Sequence, residues 1–101
     1  MNVTYVVYSE EYYFNMNTFS TGLRKRVYNI AYDEESAKDV ERLIKETLQK
    51  TVDSGELNAN NEMLTTFHVE IIQLDKKCTL EEAKEQVLDN DFTWGKVSKN
   101  I

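Results

Sequence analysis

Proline is absent from this 101-residue chain, and glycine, cysteine and histidine number only three, one and one. Without proline the chain has no rigid linker or PxxP segment, so we expect residues 1–101 to form a single domain. A single cysteine, Cys78, excludes an internal disulfide and predicts a cytoplasmic protein. No apolar run approaches the roughly 20 residues that span a bilayer, so we expect a soluble protein with neither a signal peptide nor a membrane partner.

The side chains that usually carry chemistry are also scarce. One histidine and one cysteine cannot form a zinc site of the usual nitrogen and sulfur ligands, and residues 53–62 lack the alternating oxygen ligands of an EF-hand loop. No P-loop, dinucleotide-binding fingerprint or nucleophile elbow occurs. We therefore predict a protein with no catalytic residue, no metal and no cofactor. The enzymatic alternative is a pair formed by His68 and Glu70, two positions apart on one face of a strand.

Basic residues are fewer than acidic ones, 12 against 18, which gives a formal net charge of −6. This balance opposes direct binding to nucleic acid or to anionic lipid and favours a basic protein as partner. The sole basic cluster, Arg24-Lys25-Arg26, is best interpreted as a solvated entry to a strand, although an aromatic neighbour could let it stack on single-stranded nucleic acid.

Two segments have helical periodicity. Asp33 is the predicted N-cap of a long amphipathic helix that ends at Gly55, because apolar residues recur between them every three or four positions. Thr79 and Glu82 form a capping-box pattern that predicts the start of a second helix. The predicted buried face of that second helix comprises Leu80, Ala83, Val87 and Leu88.

The predicted strands lie before, between and after these features. Val and Tyr on both parities of Asn2 to Ser9 predict a central strand, and Ser9-Glu10-Glu11 predicts a turn after it. The tail from Asp91 to Ile101 is expected to pin the C-terminus to the core, with a short edge strand as the alternative. Further strands are predicted at Tyr12 to Met16, where a short helix is the alternative, at Lys25 to Tyr32 after a turn from Asn17 to Gly22, and at Thr65 to Leu74.

This order of elements predicts an α+β domain. We expect a small mixed or antiparallel sheet of about four strands with two helices packed on one face.

Acidic residues are concentrated along the second predicted helix, where Lys84 is the sole interruption. Like charges four positions apart on a helix repel each other. Because the sequence keeps these acids despite that cost, we predict an acidic ridge that docks on a basic partner, with its carboxylates in place of nucleic-acid backbone phosphates. The alternative is a solvated helix face that keeps an acidic protein soluble. The predicted ridge comprises Glu81, Glu82, Glu85, Asp89 and Asp91.

Three consecutive aromatic residues, Tyr12, Tyr13 and Phe14, are the second candidate contact. They cannot all face one side of a strand, and an exposed subset of them would form a protein-binding patch. Exposed aromatic side chains supply large contact areas in protein interfaces at low entropic cost. The alternative is that all three are core residues of the sheet.

The composition as a whole is small, acidic and rich in Asn, Lys and Glu. It resembles that of short accessory proteins of phages and mobile elements, including anti-CRISPR and DNA-mimic inhibitors. The resemblance implies a non-catalytic protein that inhibits or regulates a basic, nucleic-acid-handling partner such as a nuclease. The alternative is a homo-oligomeric assembly domain, in the simplest case a homodimer, that acts through a sheet edge or an aromatic patch.

Overall fold

An antiparallel sheet organises residues 2–89, the part of the chain that the computed structural model describes. The sheet has three strands in the order β2-β1-β3, so the N-terminal strand is central, as predicted. The α+β class predicted from the sequence is confirmed. The elements in chain order are β1 (Thr4–Asn15), β2 (Ser20–Ala31), α1 (Glu34–Ser54), β3 (Glu62–Leu74) and α2 (Leu80–Asp89).

The prediction of about four strands is wrong because β1 runs without a break through the predicted turn at Ser9-Glu10-Glu11. Glu10 is paired with Lys25 of β2 and with His68 of β3, so the chain is extended at this position. The predicted strand from Tyr12 to Met16 is therefore the second half of β1.

The two helices pack on opposite faces of the sheet, which corrects the prediction that both lie on one face. Val6 packs in a buried cluster with Ala83 and Val87 of α2. Its neighbour Val7 packs in a separate cluster with α1, through Ala37 and Leu48. Since consecutive residues of a strand point to opposite faces, the sheet is covered from both sides. We refer to these as the α1 side and the α2 side.

The predicted limits of α1 are confirmed. The Asp33 carboxylate accepts from the Ser36 amide at 2.8 Å, and Gly55 closes the helix in the left-handed region at φ 67°. The helix contacts all three strands, so it covers the sheet across its width.

The capping box of α2 is also present. The Thr79 amide donates to Glu82 Oε1 at 2.8 Å, and the Glu82 amide donates to Thr79 Oγ1 at 3.2 Å. Ala83 and Val87 are fully buried, but Leu88 is exposed, contrary to the predicted buried face. The face that α2 buries is therefore narrower than predicted.

The turn between β1 and β2 is shorter than the predicted one. Strand β2 begins at Ser20, and Gly22 lies inside it opposite Tyr13, so the turn comprises residues 16–19. The predicted contacts of the tail from Asp91 to Ile101 lie outside the described residues.

Candidate functional site

The α2 side of the sheet changes from buried to exposed along its length. Strand pairing places Val27, Tyr8 and Glu70 in one row across β2, β1 and β3, and all three are buried. Four residues further along β1, at about 3.3 Å per residue, Tyr12 is 42% exposed. Within residues 2–89, the packing that buries this side of the sheet therefore ends within about 13 Å along β1.

A charged row lies between these two levels. Lys25, Glu10 and His68 are direct neighbours on the three strands, and they share the α2 side because alternate residues of a strand face the same way. The imidazole Nε2 of His68 is hydrogen-bonded to Glu70 Oε2, and the Tyr8 hydroxyl donates to Glu70 Oε1 at 3.5 Å. His68 and Glu70, the residues of the enzymatic alternative, therefore contact each other, and Glu70 is buried.

Beyond the charged row lies the hairpin end, residues 12–23, which contains no charged residue in a chain that is 30% charged. Its aromatic run is divided by the strand alternation. Tyr12 and Phe14 face the α2 side, whereas Tyr13 faces the α1 side. The exposed apolar side chains of the hairpin end, with their exposed fractions, are Tyr12 (42%), Met16 (42%), Phe19 (75%) and Leu23 (55%).

Of the acidic ridge predicted on α2, the structure describes three side chains, those of Glu81, Glu82 and Glu85. Glu81 and Glu85 are exposed on the helix surface away from the buried Ala83. Lys84 Nζ lies 3.9 Å from Glu81 Oε2, so Glu81 is partly neutralised. The Glu82 carboxylate is exposed but accepts from the Thr79 amide as part of the capping box.

Two other predicted ridge residues are not placed as contacts. For Asp89 only the backbone, at the end of α2, is described, and Asp91 lies outside the described residues. The geometry of the ridge therefore rests on Glu81 and Glu85.

The α1 side contains a buried carboxylate that the sequence did not indicate. Glu11 is fully buried and accepts hydrogen bonds from Ser9 Oγ at 2.5 Å and from the Tyr13 and Tyr28 hydroxyls, each at 2.6 Å. A bulge in β2 leaves Tyr28 without a partner opposite β1, and this directs its ring to the α1 side. We call Ser9, Glu11, Tyr13 and Tyr28 the Glu11 network.

These hydrogen bonds change the pKa values of the groups in the network. Burial alone would raise the pKa of Glu11, but the three hydroxyl donors and the charge of Arg26 together hold it below its usual 4.5. Burial and the hydrogen bond to Glu11 raise the pKa of Tyr13 to about 12. The same causes raise the pKa of Tyr28. The network therefore contains an ionised carboxylate and two neutral tyrosines at neutral pH.

The basic cluster is divided between the two sides. On the α1 side, Arg24 pairs with Glu62 at 3.2 Å and lies over the Tyr13 ring, and Arg26 lies over the Tyr28 ring. Lys25 is on the α2 side in the charged row. The three cations therefore do not form one surface that could follow a nucleic-acid backbone.

Cavities and donor clusters give no stronger candidate. A cavity of about 170 Å³, lined in part by Tyr13, Leu57 and Leu64, is below the roughly 300–1,000 Å³ of ordinary ligand pockets. A second cavity, of about 320 Å³, is at the lower end of that range, but no charged residue is among those that line it, which are Gln49, Val52, Thr65, Thr66 and Phe67. Within residues 2–89, no group of three or more His, Cys, Asp or Glu side chains is arranged to hold a metal ion. No described helix combines the length and hydropathy needed to cross a membrane.

Comparison of the chain with family models, curated proteins and solved structures found no match.

Sequence reasoning identified some of these residues and missed others. Tyr12, Phe14, Glu81 and Glu85 were predicted as contacts. Tyr12, Glu81 and Glu85 are exposed on or above the α2 side, whereas Phe14 faces that side but is half-buried. Phe19 was missed because it lies in a segment predicted as a polar turn. The Glu11 network was missed too, although Ser9, Glu11 and Tyr13 recur at every second position, which is the spacing of residues that share one face of a strand.

Proposed function

We propose that this protein is a cytoplasmic, non-catalytic binding protein that inhibits or regulates a basic, nucleic-acid-handling partner, as DNA-mimic and anti-CRISPR inhibitors do. The proposed contact surface is the α2 side. It combines Glu81 and Glu85, which are exposed on α2, with the exposed apolar residues of the hairpin end.

One observation carries this proposal: both kinds of predicted contact residue belong to the same side of the sheet. Helix α2, which bears Glu81 and Glu85, packs on the side that Tyr12 and Phe14 face. An apolar centre beside charged residues is the usual composition of a protein interface, where buried aromatic residues supply most of the affinity. The acids favour a partner of positive charge and accelerate its association.

The α1 side does not have this composition. Four acids of α1 lie within 4 Å of basic residues of the same helix, for example Glu34 at 3.5 Å from Lys38. Among the described side chains of α2, Glu81 alone has such a neighbour. Surface pairs of this kind contribute little to stability, but they lower the net field of the helix. This contrast supplies a matched control for the test.

The test compares two double charge reversals. Glu81→Lys with Glu85→Lys alters α2, and Glu35→Lys with Asp39→Lys alters α1. In each pair, one residue lies in the first turn of its helix and the other lies four positions later. Each pair also includes an acid that lies close to the basic residue three positions further along the chain, which is Lys84 for Glu81 and Arg42 for Asp39. The wild-type chain and both variants are immobilised and exposed to extract of the native host, and the retained proteins are quantified by mass spectrometry.

We expect a basic protein to be retained by the wild type and by the α1 variant but lost by the α2 variant. Retention should fall as salt is raised, because exposed charges are screened. Circular dichroism should show the same melting temperature for the two variants. Equal retention by all three chains would remove α2 from the proposed interface.

A homo-oligomeric assembly domain is the second candidate, and one observation favours it. Strands β2 and β3 are 12 and 13 residues long. Within residues 2–89 the outer edge of β2 is unpaired, and that of β3 has one isolated bridge, between Met63 and Leu57. Long open edges are templates for pairing with another chain. A dimer mass in multi-angle light scattering, unchanged by the α2 variant, would favour assembly over partner inhibition.

A further inference from the structure

The loop at the hairpin end is fixed by its own hydrogen bonds. The Asn15 side chain accepts from the amides of Asn17 at 2.8 Å and Thr18 at 3.1 Å, which forms an Asx turn. The Phe19 amide donates to the Asn15 carbonyl at 2.8 Å, and the Thr18 and Ser20 hydroxyls are hydrogen-bonded at 2.6 Å. The loop is therefore organised before any partner arrives.

Within this loop, Phe19 has an unfavourable backbone conformation. Its φ is 55°, in the left-handed region that glycine and asparagine adopt at lower free energy than a residue with a bulky side chain. A large aromatic residue at such a position is an outlier that calls for a functional explanation.

Burial of the ring does not offset this strain. Phe19 is 75% exposed, and its ring contact is with Phe14, at 6.1 Å between centroids. The remaining apolar surface of Phe19 faces solvent. The fold would thus be at least as stable with a small residue at position 19.

We propose that Phe19 is the anchor of the partner interface, held outward by the loop so that its ring enters an apolar pocket of the partner protein. The inference rests on the proposed function, since it names a residue of the same surface. The pocket is expected to be uncharged at its floor, because residues 12–23 carry no charge, and basic at its rim, because the acids of α2 lie on the same side.

The net charge of the chain favours a basic protein as the partner over two alternatives, a second copy of the chain and a lipid surface. A net charge of −6 repels a second copy of the chain and an anionic lipid surface alike. A basic protein with an apolar pocket is complementary to both the hairpin end and α2.

The test is the substitution Phe19→Asn, with Leu43→Asn as its control. Asparagine tolerates the left-handed conformation and has no ring. Leu43 is an exposed apolar residue of α1, 53% accessible, so its substitution also removes exposed apolar surface but on the other side of the sheet. Phe19→Tyr, which retains the ring, tests for rescue.

The measurements are the urea midpoint of unfolding and the retention of the basic protein from host extract. For Phe19→Asn we expect a midpoint at or above that of the wild type and a loss of retention of roughly thirtyfold, the effect of removing an interface anchor. Phe19→Tyr and Leu43→Asn should retain the protein as the wild type does.

Several results would overturn the anchor. Undiminished retention by Phe19→Asn would do so, as would a midpoint well below that of the wild type, which would indicate a structural role. If the wild type is a dimer that Phe19→Asn dissociates, the ring of Phe19 binds a second copy of the chain. If the wild type cosediments with phosphatidylcholine vesicles, the ring binds a lipid surface.

The two proposals fail separately. If the α2 charge reversal abolishes retention and Phe19→Asn does not, the anchor alone is wrong. In the opposite case, the role of α2 is wrong and the anchor stands. If the wild type retains no basic protein, both are wrong.

Discussion

The two sides of the sheet differ in how they use their polar and aromatic residues. On the α1 side, a helix of 21 residues covers all three strands, and Tyr13 and Tyr28 direct their hydroxyls inward to Glu11. On the α2 side, the helix has ten residues, and beyond it Tyr12 and Phe19 are exposed. Along β1 from Glu11 onward, tyrosine thus contributes to the interior on the α1 side and is exposed on the α2 side, although Tyr8, earlier in the strand, is buried on the α2 side.

This difference indicates a division of labour between stability and binding. Substitutions on the α1 side should change the free energy of unfolding, whereas those at the hairpin end should change partner retention. Adjacent residues such as Tyr12 and Tyr13 should therefore differ in their effects, because they face opposite sides.

Glu11→Ala should have the largest effect on stability. The substitution removes the acceptor of three hydroxyl donors and leaves Arg26 without its nearby buried charge. We expect a loss of about 3 kcal/mol in the free energy of unfolding, measured by urea denaturation. Glu46→Ala on the exposed face of α1 is the control and should change it by less than about 0.5 kcal/mol. Similar losses for both variants would contradict the structural role of the network.

Acid should weaken the same network. Because the pKa of folded Glu11 lies below its usual 4.5, the ionised carboxylate stabilises the fold fully above that pH. The stabilisation is lost as the pH falls through the folded pKa. The difference in unfolding free energy between the wild type and Glu11→Gln should therefore narrow below about pH 4.5, and the other carboxylates cancel in this comparison. A difference that stays constant down to the acid limit of folding would contradict the lowered pKa.

Tyr13→Phe should have an intermediate effect. It removes one hydroxyl donor to the ionised Glu11 and leaves the ring in place. Hydrogen bonds to charged groups are worth about 1.5–3 kcal/mol, and we expect a loss near the lower limit because Tyr13 is partly exposed. Tyr12→Phe, which removes a hydroxyl from the α2 side, is the control and should be nearly neutral.

Thr79→Ala should have a smaller and more local effect. It removes the hydroxyl that accepts from the Glu82 amide, at a cost of about 1 kcal/mol. Hydrogen exchange should accelerate at the amides of α2 and remain unchanged in the middle of α1. Equal acceleration in both helices would mean that the two sides of the sheet do not open separately.

The sequence predicted the features whose causes are local. Asp33 and Gly55 determine the ends of α1 through neighbouring backbone groups, and the Thr79 capping box does the same for α2. The continuity of β1 was not predictable in this way, because the charge of Glu11 is accommodated by Tyr28, which comes from another strand. Glu11 favours a turn when only its neighbours in sequence are considered, but it is buried in the folded protein.

The positions of the two helices and the anchor illustrate the same limit. Val6 and Val7 indicated that both faces of β1 are covered. The packing of the helices on the sheet shows which helix covers each face. Phe19 lies among polar residues that favour a turn, and its exposure follows from the loop conformation rather than from its neighbours in sequence.

The most direct test compares Tyr12→Ser with Tyr13→Phe in two measurements, the free energy of unfolding and the retention of the basic partner. We predict that Tyr12→Ser changes stability by less than about 0.5 kcal/mol and lowers retention roughly tenfold. Tyr13→Phe should lower stability by about 1.5 kcal/mol and leave retention unchanged. If both variants change stability and retention to the same extent, the two sides of the sheet do not have separate roles.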